Sequence, residues 1–436
     1  MLASQLISGG ISEIVAAYLI KGIKMEVDDH VVIIGASHAA VQLMISLRQQ
    51  GWLGAITTIS DEPHMPYQRP PLSKSYLDGS VEADRLVLRA AETYDKLKVD
   101  FKLGCKVTSI DARNKQLNLD TGEKIGFTKL ALCTGARVRQ LDLPGSELEG
   151  VHYLRTMDDV KAIRQSAKKA SRAVIIGGGY IGLETAASLT KLGIKVTVLE
   201  TETRLLKRVA SEQVSEFYKR LHEEEGVEIR LGSKVVALQG NSQVKSVVCD
   251  DDSHSGADMV IIGVGVIPNT ELASEAGLVV ENGIVVDQFA QTSHPDIVAA
   301  GDCTFHPNAL LKKSLRLESV PNASEQAKAA AASLCGIKKA YSELPWFWSD
   351  QFDVKLQIAG ISQGYTKAVV RGDASAGRSF SVFYIKDQYV IAADCINRPK
   401  DFMVAKKLIL QQSKIDVAAL VDESSEIKKL LINGEQ

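Results

Sequence analysis

No two of the six cysteines, Cys105, Cys133, Cys249, Cys303, Cys335 and Cys395, stand in a C-x-x-C pair. That absence excludes a vicinal redox dithiol, and the scattered spacing excludes the cysteine ligands of an iron–sulfur cluster. Buried, reduced thiols remain, in keeping with a cytoplasmic setting. No apolar run is long enough to span a bilayer. The first segment, residues 1–24, carries Glu13 inside its apolar stretch and lacks a basic start, so it fits neither a signal peptide nor a membrane span. Excess charge is also missing. Lys and Arg number 51 against 53 Asp and Glu, a net charge of −2, which gives no electrostatic grip on nucleic acid or an anionic membrane. The chain shows no metal-ligand cluster, no nucleophilic triad and no solenoid repeat.

What is present is an ordinary globular composition, 45% hydrophobic and 24% charged over 436 residues, enough for two or three domains. The continuous β-branched run Val31-Val32-Ile33-Ile34, ending at Gly35, reads as a buried parallel strand. A helix through 41–50 and a strand at 55–59 follow. The proline-rich stretch 63–74 then forbids a regular helix interior or central strand, through Pro66, Pro70 and Pro71. A second strand–glycine–helix unit opens at Ala173-Val174-Ile175-Ile176, with a helix over 181–192 and a partner strand at 195–199. Beyond about residue 333 the pattern changes to short alternating segments, 357–359, 379–385 and 389–393, with a helix near 403–411. This last part reads as a separate α+β domain. The first 27 residues read as an N-terminal extension, with Met25 as the true start or the leader as a dispensable addition.

The central unit carries Gly177-Gly178-Gly179-Tyr180-Ile181-Gly182, a G-x-G-x-x-G fingerprint placed between strand and helix. Gly177 permits the tight turn, Gly179 lets the backbone approach a pyrophosphate, and Gly182 lets the helix pack against the strand. Tyr180 and Ile181 begin the helix, whose free N–H groups attract phosphate. Glu200, closing the second strand, suits the ribose hydroxyls and repels a 2′-phosphate, which favours NADH over NADPH; Arg204 nearby weakens that preference. A ligand-free glycine turn is the bland alternative, and the full strand–loop–helix–strand–acid order argues against it. The early unit, Gly35-Ala36-Ser37-His38-Ala39-Ala40, keeps only the first glycine, and Ser37 stands where the backbone must meet phosphate. Asp61 and Glu62 restore the ribose-binding acid, so this unit reads as the FAD site. His38 reads as a helix-start neighbour of the cofactor rather than as a proton donor.

The run Arg69-Pro70-Pro71-Leu72-Ser73-Lys74 after Asp61-Glu62 resembles the signature of oxygenase-coupled, NADH-dependent ferredoxin reductases of the glutathione-reductase-like superfamily. Further matches are Leu132-Cys133-Thr134-Gly135, Gly263-Val264-Gly265 with Pro268-Asn269, and Ala300-Gly301-Asp302. Arg316-Leu317-Glu318-Ser319-Val320 with Asn322 and Gln326, and Phe347-Trp348-Ser349-Asp350-Gln351, complete the set. The resemblance implies two Rossmann-like domains for FAD and NAD plus a C-terminal α+β domain. Residues 28–145 and 276–332 are expected to bind FAD, 146–275 NAD, and 333–436 to form the C-terminal domain. It further implies that Asp302 bonds the ribityl chain and that Lys74, paired with Glu184, lies near the flavin ring. Trp348 is implied to flank the flavin. Arg69, Val107, Thr134, Gly135, Arg155, Val264, Gly265, Gly301, Glu318, Ser319 and Val320 are carried over as cofactor contacts. Lys74, Glu184 and Trp348 are the expected catalytic set.

The implied reaction moves a hydride from NADH to FAD. The electrons then pass singly to a [2Fe–2S] ferredoxin that feeds a terminal oxygenase. Without a dithiol they must leave the flavin for an outside carrier. A rubredoxin reductase or an oxygen-using NADH oxidase is the rival within the enzyme class. A redox-sensing flavoprotein resembling apoptosis-inducing factor is the rival outside it. Monomer and homodimer are equally open.

Overall fold

Val31, Val32 and Ile33 are fully buried, and the reason is topological: their strand is central in a parallel sheet covered on both faces. The computed structural model describes residues 28–427 and divides into two compact units. The expected N-terminal extension, 1–27, lies outside the described residues.

Among the described residues the first unit comprises 28–68, 87–136 and 268–343. Strand β1 (His30–Ile34) leads through Gly35 into helix α1 (His38–Gln49), and β2 (Ala55–Ser60) returns beside β1. β3 (Val99–Leu103) and β4 (Lys129–Leu132) extend the sheet, and the strand Ile297–Ala299 completes the order Ile297–Ala299, β4, β1, β2, β3, all parallel. From β1 the chain therefore moves outward to β2 and β3 on one side and then crosses back to β4 on the other. This is the switch point, and it leaves a crevice at the carboxyl end of β1. Helix α1 packs Ala40, Leu43, Met44 and Leu47 into one cluster with Ala327, Ala330 and Ala331 of the helix Val320–Leu334. Burying each of the larger side chains contributes roughly 1.5–3 kcal/mol.

Among the described residues the second unit comprises 69–86, 137–267 and 344–427. It repeats the plan. Strands β5 (Val151–Tyr153), β6 (Arg172–Ile176), β7 (Lys195–Glu200), β8 (Glu228–Leu231) and β9 (Met259–Ile262) form a parallel sheet in the order β8, β7, β6, β9, β5. Helix α2 (Tyr180–Lys191) follows β6, and α3 (Glu212–Glu224) follows β7. An antiparallel sheet of β10 (Trp346–Gln351), β11 (Val354–Gly360), β12 (Lys367–Gly372), β13 (Phe380–Lys386) and β14 (Tyr389–Ile396) belongs to the same unit, with α4 (Pro399–Gln411). Its Leu356, Phe380, Val382 and Tyr384 share a core with Leu183 of α2 and with Val214, Phe217 and Leu221 of α3.

Three differences from the sequence reading are physical. Helix α1 starts at His38 rather than 41 because Ser37 is already extended at the N-cap (φ −124°). Strands β10 and β12 were not legible as strands, since β10 buries only Ser349 and Gln351 and shows no hydrophobic alternation. Each unit also carries a three-stranded antiparallel meander, 107–126 and 235–256, whose strands of three to six residues were not separated from loops in the sequence. No described helix is long and apolar enough to cross a membrane.

Candidate active site

In the first unit the turn after β1 depends on Gly35. Its φ is +106°, and an added Cβ would lie 2.2 Å from the Cys133 carbonyl oxygen. Ser37 caps α1 with extended backbone and makes no side-chain cap bond, so the helix N-terminus keeps N–H groups for an anion. Its hydroxyl lies 3.4 Å from Nδ1 of His38, and Ala39 is buried behind it. After β2, Asp61 is exposed, whereas Glu62 is half-buried and accepts the Tyr67 hydroxyl. Glu62 is thus the acid held in place.

The opposite wall is braced by backbone. Thr134 donates to the Asn269 carbonyl (2.7 Å), and Asn269 returns a bond to the Thr134 carbonyl (2.9 Å) and one from its N–H to Gly135 (3.0 Å). Gly301 has φ +93°, and its N–H donates to Oε1 of Gln326 at 2.8 Å. The Thr304 hydroxyl donates to the same oxygen at 2.9 Å. Both donors fix which way the amide faces, and Nε2 of Gln326 is left buried without a partner. A buried donor without an acceptor costs about 1–3 kcal/mol. Such a donor fits a bound polar group here, which supports a cofactor in this cradle. Half-buried Asp302 follows Gly301. Ser319 caps the helix Val320–Leu334, accepting the Asn322 N–H at 3.3 Å, while exposed Glu318 pairs with Arg316. The Val107 side chain is buried in the aliphatic cluster of this unit.

In the second unit the fingerprint behaves glycine by glycine. A Cβ on Gly177 (φ +112°) would lie 2.4 Å from the Gly263 oxygen, and one on Gly182 would lie 2.2 Å from the Gly177 oxygen. Both therefore serve close packing. A Cβ on Gly179 would meet no protein atom within 4 Å, at the very N-cap of α2. That open face is where a phosphate can approach the backbone. Glu200 turns back onto the loop: one carboxylate oxygen accepts the Gly178 N–H at 2.7 Å and the other the Glu202 N–H at 2.9 Å. A carboxylate has acceptor capacity left over for ribose hydroxyls. The Arg204 guanidinium donates to Ser215 Oγ (2.6 Å) and to the carbonyls of Ala210 and Lys207, so it braces its own loop. Ile181 is exposed beside the cradle, and Val264 with Gly265 (φ +100°) forms the loop after β9.

Glu184, one turn into α2, is 1% exposed and takes three donors. Lys74 Nζ is 2.6 Å from Oε2, Ser73 Oγ donates to Oε2 at 2.5 Å, and Ser349 Oγ donates to Oε1 at 2.6 Å. Lys74 stands at the end of a 3₁₀ turn, Pro70–Ser73, that the prolines preset, and its Nζ also donates to the Pro70 carbonyl at 3.2 Å. The Ser188 hydroxyl of α2 holds the Ser73 carbonyl at 2.8 Å. Nearby, Arg69 donates to the Arg155 carbonyl (2.8 Å), and Arg155 N–H to Asp159 (2.9 Å). The structure thus joins Lys74 to Glu184, as expected. Trp348 is set apart from that pair. By strand alternation Ser349 and Gln351 face α2 together with Phe347, whose ring lies 5.1 Å from Tyr180, while Trp348 lies on the other face, 5.6 Å from Trp346.

Burial shapes the surrounding electrostatics. It pushes the Tyr180 and Tyr218 hydroxyls far up and raises Asp394 to about 7, even though Tyr384 donates to that acid. His222, buried, is lowered to about 4. The thiols of Cys133 and Cys303 are raised by burial, which leaves them unreactive. Ser73, Asn269, Gln351 and His222 were not assigned roles from the sequence. Ser73, Asn269 and Gln351 were visible only as motif letters, and nothing local marked His222.

Residues 29–327 match the model of the pyridine nucleotide-disulphide oxidoreductase family, and 346–431 match that of the reductase C-terminal domain. The chain is 41% identical over 413 residues to putidaredoxin reductase of Pseudomonas putida, covering 93% of this chain and 98% of that protein. It is 42% identical over 389 residues to a ferredoxin–NAD(P)+ reductase of a Sphingomonas species, covering 88% and 94%. Among solved structures it resembles the reductase in the covalent putidaredoxin reductase–putidaredoxin complex, with a TM-score of 0.91 and 41% identity over 94% of this chain and 100% of that one. A ferredoxin reductase from Rhodopseudomonas palustris gives 0.89 and 39%, over 92% and 99%. With both nucleotide cradles formed and residues 29–327 matched to its model, the chain belongs to the pyridine nucleotide-disulphide oxidoreductase family.

Proposed function

We propose that this chain is an FAD-dependent NADH:ferredoxin reductase, passing electrons singly to a [2Fe–2S] ferredoxin that supplies an oxygenase. The observation that carries the reading is the ion pair of half-buried Lys74 with buried Glu184, the latter on the helix that opens at the nucleotide cradle. Burying a carboxylate is costly unless it is paired and hydrogen-bonded, as Glu184 is, and a reductase needs fixed charge where electrons gather. FAD, when bound, supplies the conversion of a two-electron donor into one-electron steps.

The chain's own residues bind and orient. Gly35, Ser37, His38 and Ala39 hold the flavin nucleotide's phosphates at the N-terminus of α1, Glu62 with Asp61 its ribose, and Gly301, Asp302 and Gln326 its ribityl side. Gly177, Gly179, Tyr180 and Gly182 seat the NADH pyrophosphate, and Glu200 takes the ribose and disfavours NADPH. Lys74 offers a cation that favours reduction, and Glu184 fixes that cation's position. On this reading residues 28–145 and 276–332 carry FAD, 146–275 NADH, and 333–436 the C-terminal domain. A cytoplasmic location accords with NADH as donor and with buried, reduced thiols.

The test is NADH-driven cytochrome c reduction with and without added [2Fe–2S] ferredoxin. Strict dependence on ferredoxin is expected. A rate indifferent to ferredoxin but fast with oxygen, or one served only by rubredoxin, would replace this assignment.

A further inference from the structure

A hydrogen-bonded chain of fully buried side chains runs into the back of Glu184. Ser349 (0% exposed) donates to Glu184 Oε1, Gln351 Nε2 donates to Ser349 Oγ at 3.1 Å, and Gln351 Oε1 meets His222 Nε2 at 2.8 Å. The direction of every bond follows from the chemistry at one end. A carboxylate only accepts, so Ser349 spends its single proton on Glu184 and can only accept from Gln351. Gln351 must then present its NH₂ to Ser349 and its carbonyl to His222. His222 therefore carries its proton on Nε2, and its Nδ1 is buried without a partner. A second proton on that ring would be a desolvated cation, and burial holds the group at about 4. The imidazole is neutral at working pH.

We propose that Ser349, Gln351 and His222 form a one-way positioning relay, from α3 through β10 to α2, that orients the Glu184 carboxylate and through it Lys74 during reduction by NADH. The proposal rests on the assignment of Lys74 and Glu184 to the reductive step. Aligned donors polarise one another, so the arrangement supports the charge on Glu184 beyond what Ser349 alone supplies. Residues 349 and 351 suit the role because alternate strand positions share a face. The ionisable groups around Glu184 are Lys74, Tyr180 on its own helix and Tyr218 on α3, with Asp394 and Tyr384 of the antiparallel sheet coupled to those tyrosines. The three tyrosines stay protonated through burial.

The test reads the infrared carboxylate stretch of holoprotein labelled with [13C]glutamate beside stopped-flow flavin reduction by NADH. Ser349→Ala should slow limiting reduction about tenfold with little change in NADH affinity. It should also shift the labelled carboxylate band, which loses a hydrogen-bond donor, and Ser349→Thr should restore both rate and band. His222→Phe, which keeps the ring contact with Phe352 (5.1 Å now), should shift both in the same direction by less, and it serves if Ser349→Ala does not fold. If Glu184→Gln slows reduction while the relay variants leave rate and band unchanged, the relay is wrong and the active-site assignment survives. If Glu184→Gln itself leaves reduction unchanged, both fall.

Discussion

Removing the lysine from the Lys74–Glu184 pair gives a prediction whose size can be worked out. At 2.6 Å the two charges attract by about 6 kcal/mol at an effective dielectric of about 20. Desolvating two ions costs several kcal/mol each, so the pair as a whole adds little net stability. The asymmetry appears when one partner goes. Lys74→Met leaves Glu184, 1% exposed, as a buried charge without its cation, which costs about 3–5 kcal/mol. The hydroxyls of Ser73 and Ser349 still donate to it, and Lys74 is 19% exposed, so the lower end of about 3 kcal/mol applies. Adding Glu184→Gln removes the stranded charge and keeps an acceptor for the serines. The double variant should then recover about 2 kcal/mol relative to Lys74→Met alone. Urea unfolding of the holoprotein, followed by far-UV circular dichroism on all four members of the cycle, measures this. Additive losses, with no coupling between the two substitutions, would refute the pair as a buried electrostatic unit.

Three further outcomes follow from separate features. Glu200→Arg should raise the ratio of NADPH to NADH efficiency by about 10- to 100-fold, roughly 1.4–3 kcal/mol, read as kcat/KM for each nucleotide; an unchanged ratio would remove Glu200 from the ribose site. Gly182→Ala should destabilise the second unit and abolish NADH binding, because its Cβ would lie 2.2 Å from the Gly177 oxygen, whereas Gly179→Ala should leave the urea midpoint intact and raise only KM for NADH. Equal loss of stability in both would contradict the division between a packing glycine and an open one. Asp394 is raised by burial to about 7 from an unfolded value near 4, so its contribution to stability is full below about pH 4 and is lost as pH climbs to about 7. Asp394→Asn should therefore gain on the parent across that window, by an amount on the order of 4 kcal/mol at its upper end; a difference between the two that does not vary with pH would contradict it.

The sequence by itself determined what is local. Runs such as Val31 to Ile34 and Ala173 to Ile176 announce buried parallel strands, because only a sheet covered on both faces has room for four apolar residues in succession. Gly177, Gly179 and Gly182 could be read by offset, since a turn, a phosphate and a helix contact each exclude a side chain at a fixed distance along the chain. Lys74 and Glu184 were legible as a pair only through family likeness, lying far apart in sequence. Tertiary structure alone decided that Ser73 and Ser349 both turn onto Glu184, that Trp348 takes the opposite strand face, and that Gln326 ends with a bare buried N–H. It also decided that His222 joins Gln351 across 129 positions of chain. A hydrogen bond depends on where atoms meet and on whether water is kept out. Neither is encoded by spacing along one strand or helix, so the polar wiring of the site emerges only when helix α2 and the antiparallel sheet pack together.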